Sequence, residues 1–314
     1  MIVAPIFAER DETYPLRWGT KSRKWWWPMN NFSMMSVSLG TDGEARLLGP
    51  SSLYAFRIPS PLTPAASPAD KAFVQHLYWG PIDASFKQQQ QQLPNEDGED
   101  GEVDSLVPLL SKETVAATFD PYIALPSGEH LYESRNTLML EMAPYGSGDF
   151  RSASLELEVQ GGGRVTQLEF LSAEVVKGKP ASIAAAPADQ PAVYVESEAE
   201  ATSLCVTLVD PLVPGLSVQL WYTVMAEYDV VVRRMVVVNK GAAPVVIKRI
   251  NAATVDFPVA QSEKGYGFTS LSGSWARERQ VSSSQLGVMG TRSISSRRGA
   301  SSHQHSPFAV ISDG

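Results

Sequence analysis

Beyond residue 150, apolar and polar residues alternate with the period of two that puts successive side chains on opposite faces of a strand. L-E-L-E-V at 155–159 is the cleanest case. Gly161 to Gly163 then supply a turn, and V-T-Q-L-E-F-L at 165–171 predicts a returning strand, a hairpin with one buried face. S-L-C-V-T-L-V at 203–209 and L-S-V-Q-L-W-Y-T-V at 216–224 predict a second pair, joined by a Pro/Gly connection. D-V-V-V-R-R-M-V-V-V-N-K-G at 229–241 is β-branched enough for a central strand ending in an Asn-Lys-Gly turn, with P-V-V-I-K-R-I at 244–250 running back beside it. Nearer the N-terminus, S-L-Y-A-F-R-I at 52–58 and A-F-V-Q-H-L-Y-W-G at 72–80 read as strands. Helical periodicity is almost absent. Many short strands at close spacing predict an all-β fold of two packed antiparallel sheets.

Between these strands lie stretches with no period. Pro, Ala and Ser dominate 59–69, which reads as a loop insertion. Residues 87–105 carry a glutamine tract and then an acidic run, a composition unable to bury enough apolar surface to offset its ordering entropy, so a disordered surface insertion is expected. Residues 1–50 form a poorly defined N-terminal extension: W-W-W at 25–27 beside a basic cluster suggests either an edge-strand cluster or a sugar-stacking platform, and M-M-S-V-S-L at 34–39 a short strand. The main domain is expected over 51–314.

Composition narrows the function classes. The chain has 314 residues, 43% of them hydrophobic and 19% charged, as in a globular protein. Its formal charge of −8 comes mostly from six acidic residues between Glu96 and Asp104. The remainder is nearly neutral, which argues against a nucleic-acid partner. Cys205 is the only cysteine, so an intrachain disulfide is impossible; a reducing compartment fits. No apolar run approaches the ~20 residues of a membrane span. The N-terminus lacks the basic leader of a signal peptide, and the balance leans to an intracellular setting. No spacing of His, Cys, Asp or Glu completes a metal site, and no cofactor is implied.

The stretch from 271 to 308 stands apart. It reads L-S-G-S-W-A-R-E-R, a spacer, then S-R-R-G-A-S-S-H-Q-H-S-P-F. Neither strand nor helix periodicity survives there, so its guanidinium forks and imidazoles are expected to face a partner surface. Trp275, Arg277, Glu278, Arg279, Arg297, Arg298, His303 and His305 are the candidate interface residues. His76, beside Tyr78 and Trp79 on a strand, reads as a hydrogen-bonded packing residue.

These motifs closely resemble the N-terminal domain of the family 36 glycoside hydrolases, the microbial and fungal α-galactosidases. That family carries a similar S-G-x-W-x-R-E-R segment and S-R-R-G-A-S-S-H-Q-x-N-P-F; Ser306 stands where the family usually has Asn. H-L-Y-W-G at 76–80, Y-G-S-G-D-F-R at 145–151, K-G-K-P at 177–180 and Y-V-E at 194–196 match in the same order. The resemblance covers roughly 51–314 and implies a large β-supersandwich. It also implies that Asp120, in F-D-P-Y at 119–122, lies near a position from which the family's N-terminal domain reaches the galactose pocket, one residue out of register. Read from its own residues, Asp120 is an Asp-Pro turn residue hydrogen-bonding its own backbone.

Retaining glycosidases need two carboxylates about 5–5.5 Å apart. The resemblance places both on a (β/α)₈ barrel, typically ~250 residues, and neither barrel motif is found in this sequence. The chain is therefore expected to be a non-catalytic N-terminal part of an α-galactosidase acting with retention on melibiose- or raffinose-type oligosaccharides. Its expected partners are the barrel, the α-galactosyl oligosaccharide and further copies in a homo-oligomer. A stand-alone carbohydrate-binding or structural β domain, or a scaffold using its Gln/acidic insertion, is the alternative.

Overall fold

The computed structural model describes residues 2–3, 37–40, 43–58, 74–82, 140–146, 152–179, 200–257, 265–286, 292–296 and 304–313. Asp120, Arg297, Arg298, His303, the three tryptophans at 25–27 and the insertion at 87–105 lie outside them. Among the described residues every regular element is a strand, apart from one 3-10 turn at Ala226–Tyr228. The chain divides into two compact units, Met1–Asp256 and Phe257–Gly314.

Among the described residues the first unit holds three antiparallel sheets. In chain order its strands are β1 (Ile2–Val3), β2 (Val37–Leu39), β3 (Glu44–Leu48), β4 (Ser52–Arg57), β5 (Gln75–Pro81), β6 (Leu155–Val159), β7 (Glu169–Lys177), β8 (Thr202–Val209), β9 (Leu216–Met225), β10 (Val230–Asn239) and β11 (Val245–Ile250). One sheet runs β2-β3-β4-β5, another β1-β10-β9-β8-β7, and β11 pairs with β6. Thus β1, β2 and β3, all within residues 1–50, join sheets with strands from later in the chain.

The strand pair β8–β9 forms as the alternation predicts, with Leu204 opposite Tyr222 and Val206 opposite Leu220. Two other expected pairings do not form. After β6 the glycine turn does close, with Val159 N donating to Gly163 O at 2.9 Å. The chain then crosses to another sheet: β6 pairs with β11, while β7 pairs with β8. Likewise β10 pairs with β9 and, at Val231 and Val232, with β1, while β11 pairs with β6. At the end of β10, Asn239 accepts from Gly241 N and donates to Ala243 O, turning the chain on itself. Gly241 packs so tightly there that a Cβ would fall 2.3 Å from Pro214 O, closing the β10 end against the β8–β9 connection.

The core lies between the four- and five-stranded sheets. Phe56 stacks on Tyr222 at 4.5 Å between ring centroids, and Tyr54 meets Phe56, His76 and Trp79 edge-on. Burying aromatics of this size contributes a few kcal/mol each. Inside this apolar layer sits an ion pair. Arg233 Nη2 lies 2.9 Å from Glu141 Oε2, with both side chains sealed from solvent. Tyr54 donates to both Glu141 oxygens at 2.7 and 2.8 Å, Tyr222 donates at 2.9 Å, and His76 Nδ1 completes the shell. Arg233 also donates to Thr254 O at 3.0 Å and to the Tyr54 hydroxyl at 2.9 Å. Burial raises the Glu141 pKa, but Arg233 and the hydrogen bonds of His76 and Tyr54 outweigh it and hold the carboxyl below its ordinary range. Burial pushes the Tyr54 and Tyr222 hydroxyls well above theirs, so they remain donors.

A second polar tie joins the same two sheets at their edge. Asp229 adopts φ 52°, a left-handed conformation that Asp tolerates better than most residues. Its carboxylate accepts from the backbone N and the hydroxyl of both Ser51 and Ser52, at 2.6–3.0 Å. Burial raises this carboxyl, and the four hydrogen bonds more than offset that, leaving it below its ordinary range.

Two outcomes follow. Arg233→Met leaves Glu141 buried without its counter-charge and should cost about 3–5 kcal/mol in urea unfolding, whereas Arg233→Met with Glu141→Leu should cost clearly less than the two single changes summed. Asp229→Asn should cost about 1–2 kcal/mol at neutral pH. Because the folded-state pKa of Asp229 is depressed, its contribution is present above the ordinary carboxyl value and lost as pH falls through the folded one. The D229N variant should therefore show a flatter loss of Tm below about pH 4 than the parent chain.

Candidate functional site

Among the described residues the second unit is a three-stranded antiparallel sheet, β13-β12-β14, built from β12 (Tyr266–Ser274), β13 (Arg277–Leu286) and β14 (Gln304–Asp313). Its central strand is serine- and glycine-rich, and β13 is exposed or half-exposed along its whole length. Trp275, Val281, Phe308 and Ile311 all lie open on this unit.

The S-G-S-W-A-R-E-R motif builds the β12–β13 turn. Ser274 pairs with Arg277, which leaves Trp275 and Ala276 as a two-residue loop. Ala276 has φ 61°, and Glu278 Oε1 accepts from its backbone N at 2.9 Å, fastening the loop from the following strand. The register then shifts: Gly273 alone faces the pair Glu278–Arg279, a bulge with Arg279 at φ 56°. Gly273 is required, since a Cβ would sit 2.5 Å from Arg277 O and 2.9 Å from Glu278 Cα. Two side-chain-bearing residues in left-handed backbone cost about 1–2 kcal/mol each. That strain positions what the motif displays. Trp275 is 81% exposed, and Arg277, Glu278 and Arg279 are exposed with it.

On the other side of β12, His305 pairs with Ser272 and Gln304 with Gly273. Gln304 has φ 64°, a third left-handed position at this end of the sheet. The register between Ser270 and Ser272 opposes Ala309 to Ser270 and His305 to Ser272, so Ser306, Pro307 and Phe308 bulge outward opposite Leu271. Proline suits a bulge because it has no ladder hydrogen bond to give. His305 Nδ1 is buried with no hydrogen-bond partner among the described residues. Five of the eight expected interface residues, Trp275, Arg277, Glu278, Arg279 and His305, therefore gather at one end of one sheet. Chemically this end offers an aromatic platform, two guanidinium forks and an unsatisfied imidazole nitrogen, all suited to recognition. Arg297, Arg298, His303 and Asp120 lie outside the described residues.

The Glu141 cluster is another concentration of polar groups; His76 is the hydrogen-bonded packing residue that its sequence context predicts, whereas the sequence reading does not single out Glu141 or Arg233. The cluster is sealed, with its carboxylate already committed to Arg233, two tyrosines and His76. That arrangement holds sheets together. Among the described residues its one unpartnered nitrogen, His76 Nε2, is buried with the rest. Among the described residues no group of three or more His, Cys, Asp or Glu is placed to hold a metal.

Known proteins share this architecture. A family model described as the glycosyl hydrolase family 36 N-terminal domain matches residues 72–314. The α-galactosidase AgaA of Geobacillus stearothermophilus is 38% identical over 178 residues, which is 57% of this chain and 23% of the relative. The probable α-galactosidase C of Aspergillus oryzae is 34% identical over 173 residues, 54% of this chain and 21% of the relative. The crystal structure of the family 36 α-galactosidase AgaB from Geobacillus stearothermophilus superposes with a TM-score of 0.62 at 29% identity, covering 88% of this chain and 32% of that one. A crystal structure of an AgaA variant in complex with raffinose gives a TM-score of 0.60 at 29% identity, covering 85% of this chain and 31% of that one. The chain thus spans a third or less of the length of these relatives. With the matched region taking in most of its strands and the whole exposed hairpin, the chain belongs to glycosyl hydrolase family 36, as that family's N-terminal β domain.

Proposed function

We propose that this domain serves a retaining α-galactosidase that releases terminal α-linked galactose from melibiose- or raffinose-type oligosaccharides, and that it is itself non-catalytic. The observation that carries the reading is the strained, exposed hairpin of a domain whose relatives are named α-galactosidases. Variants of one of those relatives were crystallised with raffinose and with stachyose. Family 36 chemistry is expected on a (β/α)₈ barrel, where two carboxylates face one glycosidic bond. In this chain the deeply buried carboxylate of Glu141 is neutralised by Arg233, and Asp229 is saturated by Ser51 and Ser52.

The hairpin end is the docking edge for that barrel or for a neighbouring subunit of a homo-oligomer. A partner covering Trp275 would bury a large amphipathic ring, and carboxylates facing Arg277 and Arg279 would form bidentate pairs. Arg297, Arg298 and His303 belong to the same edge in this reading. Asp120 is assigned to the galactose pocket. The domain so proposed runs over 51–314, with β1, β2 and β3 of the N-terminal extension adding strands to its sheets.

The purified 314-residue chain is expected to leave a chromogenic α-galactoside uncleaved; measurable turnover that survives repurification would overturn the non-catalytic reading. Galactose and raffinose should leave its Tm unmoved, whereas a dose-dependent rise would favour a stand-alone sugar-binding domain. Mixed with a separately produced family 36 barrel, the chain should bind it, and Trp275→Ala should weaken that binding by about 30-fold, the loss typical of a central aromatic anchor. Unchanged binding in calorimetry would remove Trp275 from the interface.

A further inference from the structure

Trp275 and Ala276 join β12 to β13 as the central residues of a turn closed by the Ser274–Arg277 pair. Ala276 has φ 61°, whereas Trp275 is not among the left-handed residues. An ordinary second position followed by a left-handed third one defines a type II turn, which takes Gly or Asn at that third position by preference. Here the position holds a residue with a Cβ. A type II turn also splays the strands it joins, and two-residue hairpins avoid it for that reason. The bulge that follows at Glu278–Arg279 adds local twist and lets the ladder resume. This loop is therefore disfavoured twice, by its residue and by its hand.

Turning over one peptide unit, the one between Trp275 and Ala276, would convert the turn to type I and return Ala276 to negative φ. Glu278 opposes that flip. Its Oε1 accepts from Ala276 N at 2.9 Å, and this N–H belongs to the peptide unit in question. Turning the unit over would carry the donor away from the carboxylate. Hydrogen bonds to an ionised acceptor are roughly twice as strong as neutral ones, so the loss would be felt. Glu278 lies between Arg277 and Arg279 in sequence, yet among the described residues it forms an ion pair with neither. Its ordered contact is inward, to the loop.

We propose that Glu278 is a positioning residue for the docking edge: its carboxylate locks the Trp275–Ala276 peptide in the type II orientation, so that Trp275 meets the barrel in a single, preset pose. Trp275 makes the contact, and Glu278 acts through it. Ordering a loop side chain during association costs affinity, and an anchor fixed beforehand avoids that cost. The consequence for binding rests on the hairpin end being the docking edge for the barrel; the locked turn is a property of the free chain.

NMR of the free chain reads the turn directly. A type II turn brings the Ala276 amide proton against Trp275 Hα, and a type I turn brings it against the Trp275 amide proton instead. The parent chain and Glu278→Gln, which keeps an acceptor oxygen, should show the first contact. Glu278→Ala should show the second. Ala276→Gly added to Glu278→Ala should restore the first, because glycine takes left-handed backbone without help from a carboxylate. Affinity for a separately produced family 36 barrel should follow the same order: about fivefold weaker for E278A, as when about a fifth of the molecules hold the competent pose, and near parental for E278Q and the double variant. An E278A chain that keeps the parent turn would overturn the proposal, as would E278Q binding as weakly as E278A, or a double variant that stays as weak. Barrel binding indifferent to Trp275→Ala would sink the docking edge itself and with it the role in recognition, while the proton contacts separately decide whether Glu278 sets the turn.

Discussion

A carboxylate and a guanidinium buried between two sheets set the terms for the rest of this domain. Neither Glu141 nor Arg233 can be removed from water alone, so each position demands the other. The Glu141 oxygens are met further by hydroxyls and an imidazole from different strands: Tyr54 on β4, His76 on β5, Tyr222 on β9. The cluster therefore fixes which faces of the two sheets meet and at what offset. A purely aliphatic layer would bury as much area with less selectivity. The apolar ring around it, Phe56 on Tyr222 above all, supplies the burial, and the charges supply the alignment.

The hairpin of the second unit follows the opposite logic. There the polar groups are displayed, and backbone strain is spent on display. Gly273 permits the bulge, Glu278 fastens the loop, and Ala276 and Arg279 accept left-handed backbone, with the result that an indole ring stands in solvent. One unit hides its charges to register two sheets. The other exposes its charges at the end of a sheet whose β13 edge is itself largely open.

Much of this was legible in the sequence, for identifiable reasons. Alternation revealed β4 to β11, because the pleat imposes a period of two whatever the neighbour. It missed β12, β13 and β14: a serine- and glycine-rich central strand and a β13 exposed along its length carry no apolar period, although they form a sheet. Nor could alternation reveal pairing. β6 and the strand after its glycine turn looked like a hairpin, and β10 and β11 likewise, since each pair is joined by a competent turn. Which sheet a strand enters depends on vacancies left by strands far away in sequence, such as β1 taking the far edge of β10. Glu141 and Arg233 did carry a signal: each is a charge within an apolar run, T-L-M-L-E-M and V-V-V-R-R-M-V-V-V. Such a charge announces that a partner exists without naming it. The exposed motif was legible from its lack of any period, whereas the turn fastened by Glu278 depends on a φ that no composition reports.

Asp229 lies 178 positions beyond Ser51, the first of the two serines it holds. At ribosomal rates of about 5–20 residues per second, roughly 10–35 s separate the appearance of β4 from that of its anchor. Through that interval the aromatic face of β4 and β5 has no sheet to close on, and contacts this distant form slowly even once both halves exist. The newborn domain is thus exposed to misassociation for longest at its most apolar layer.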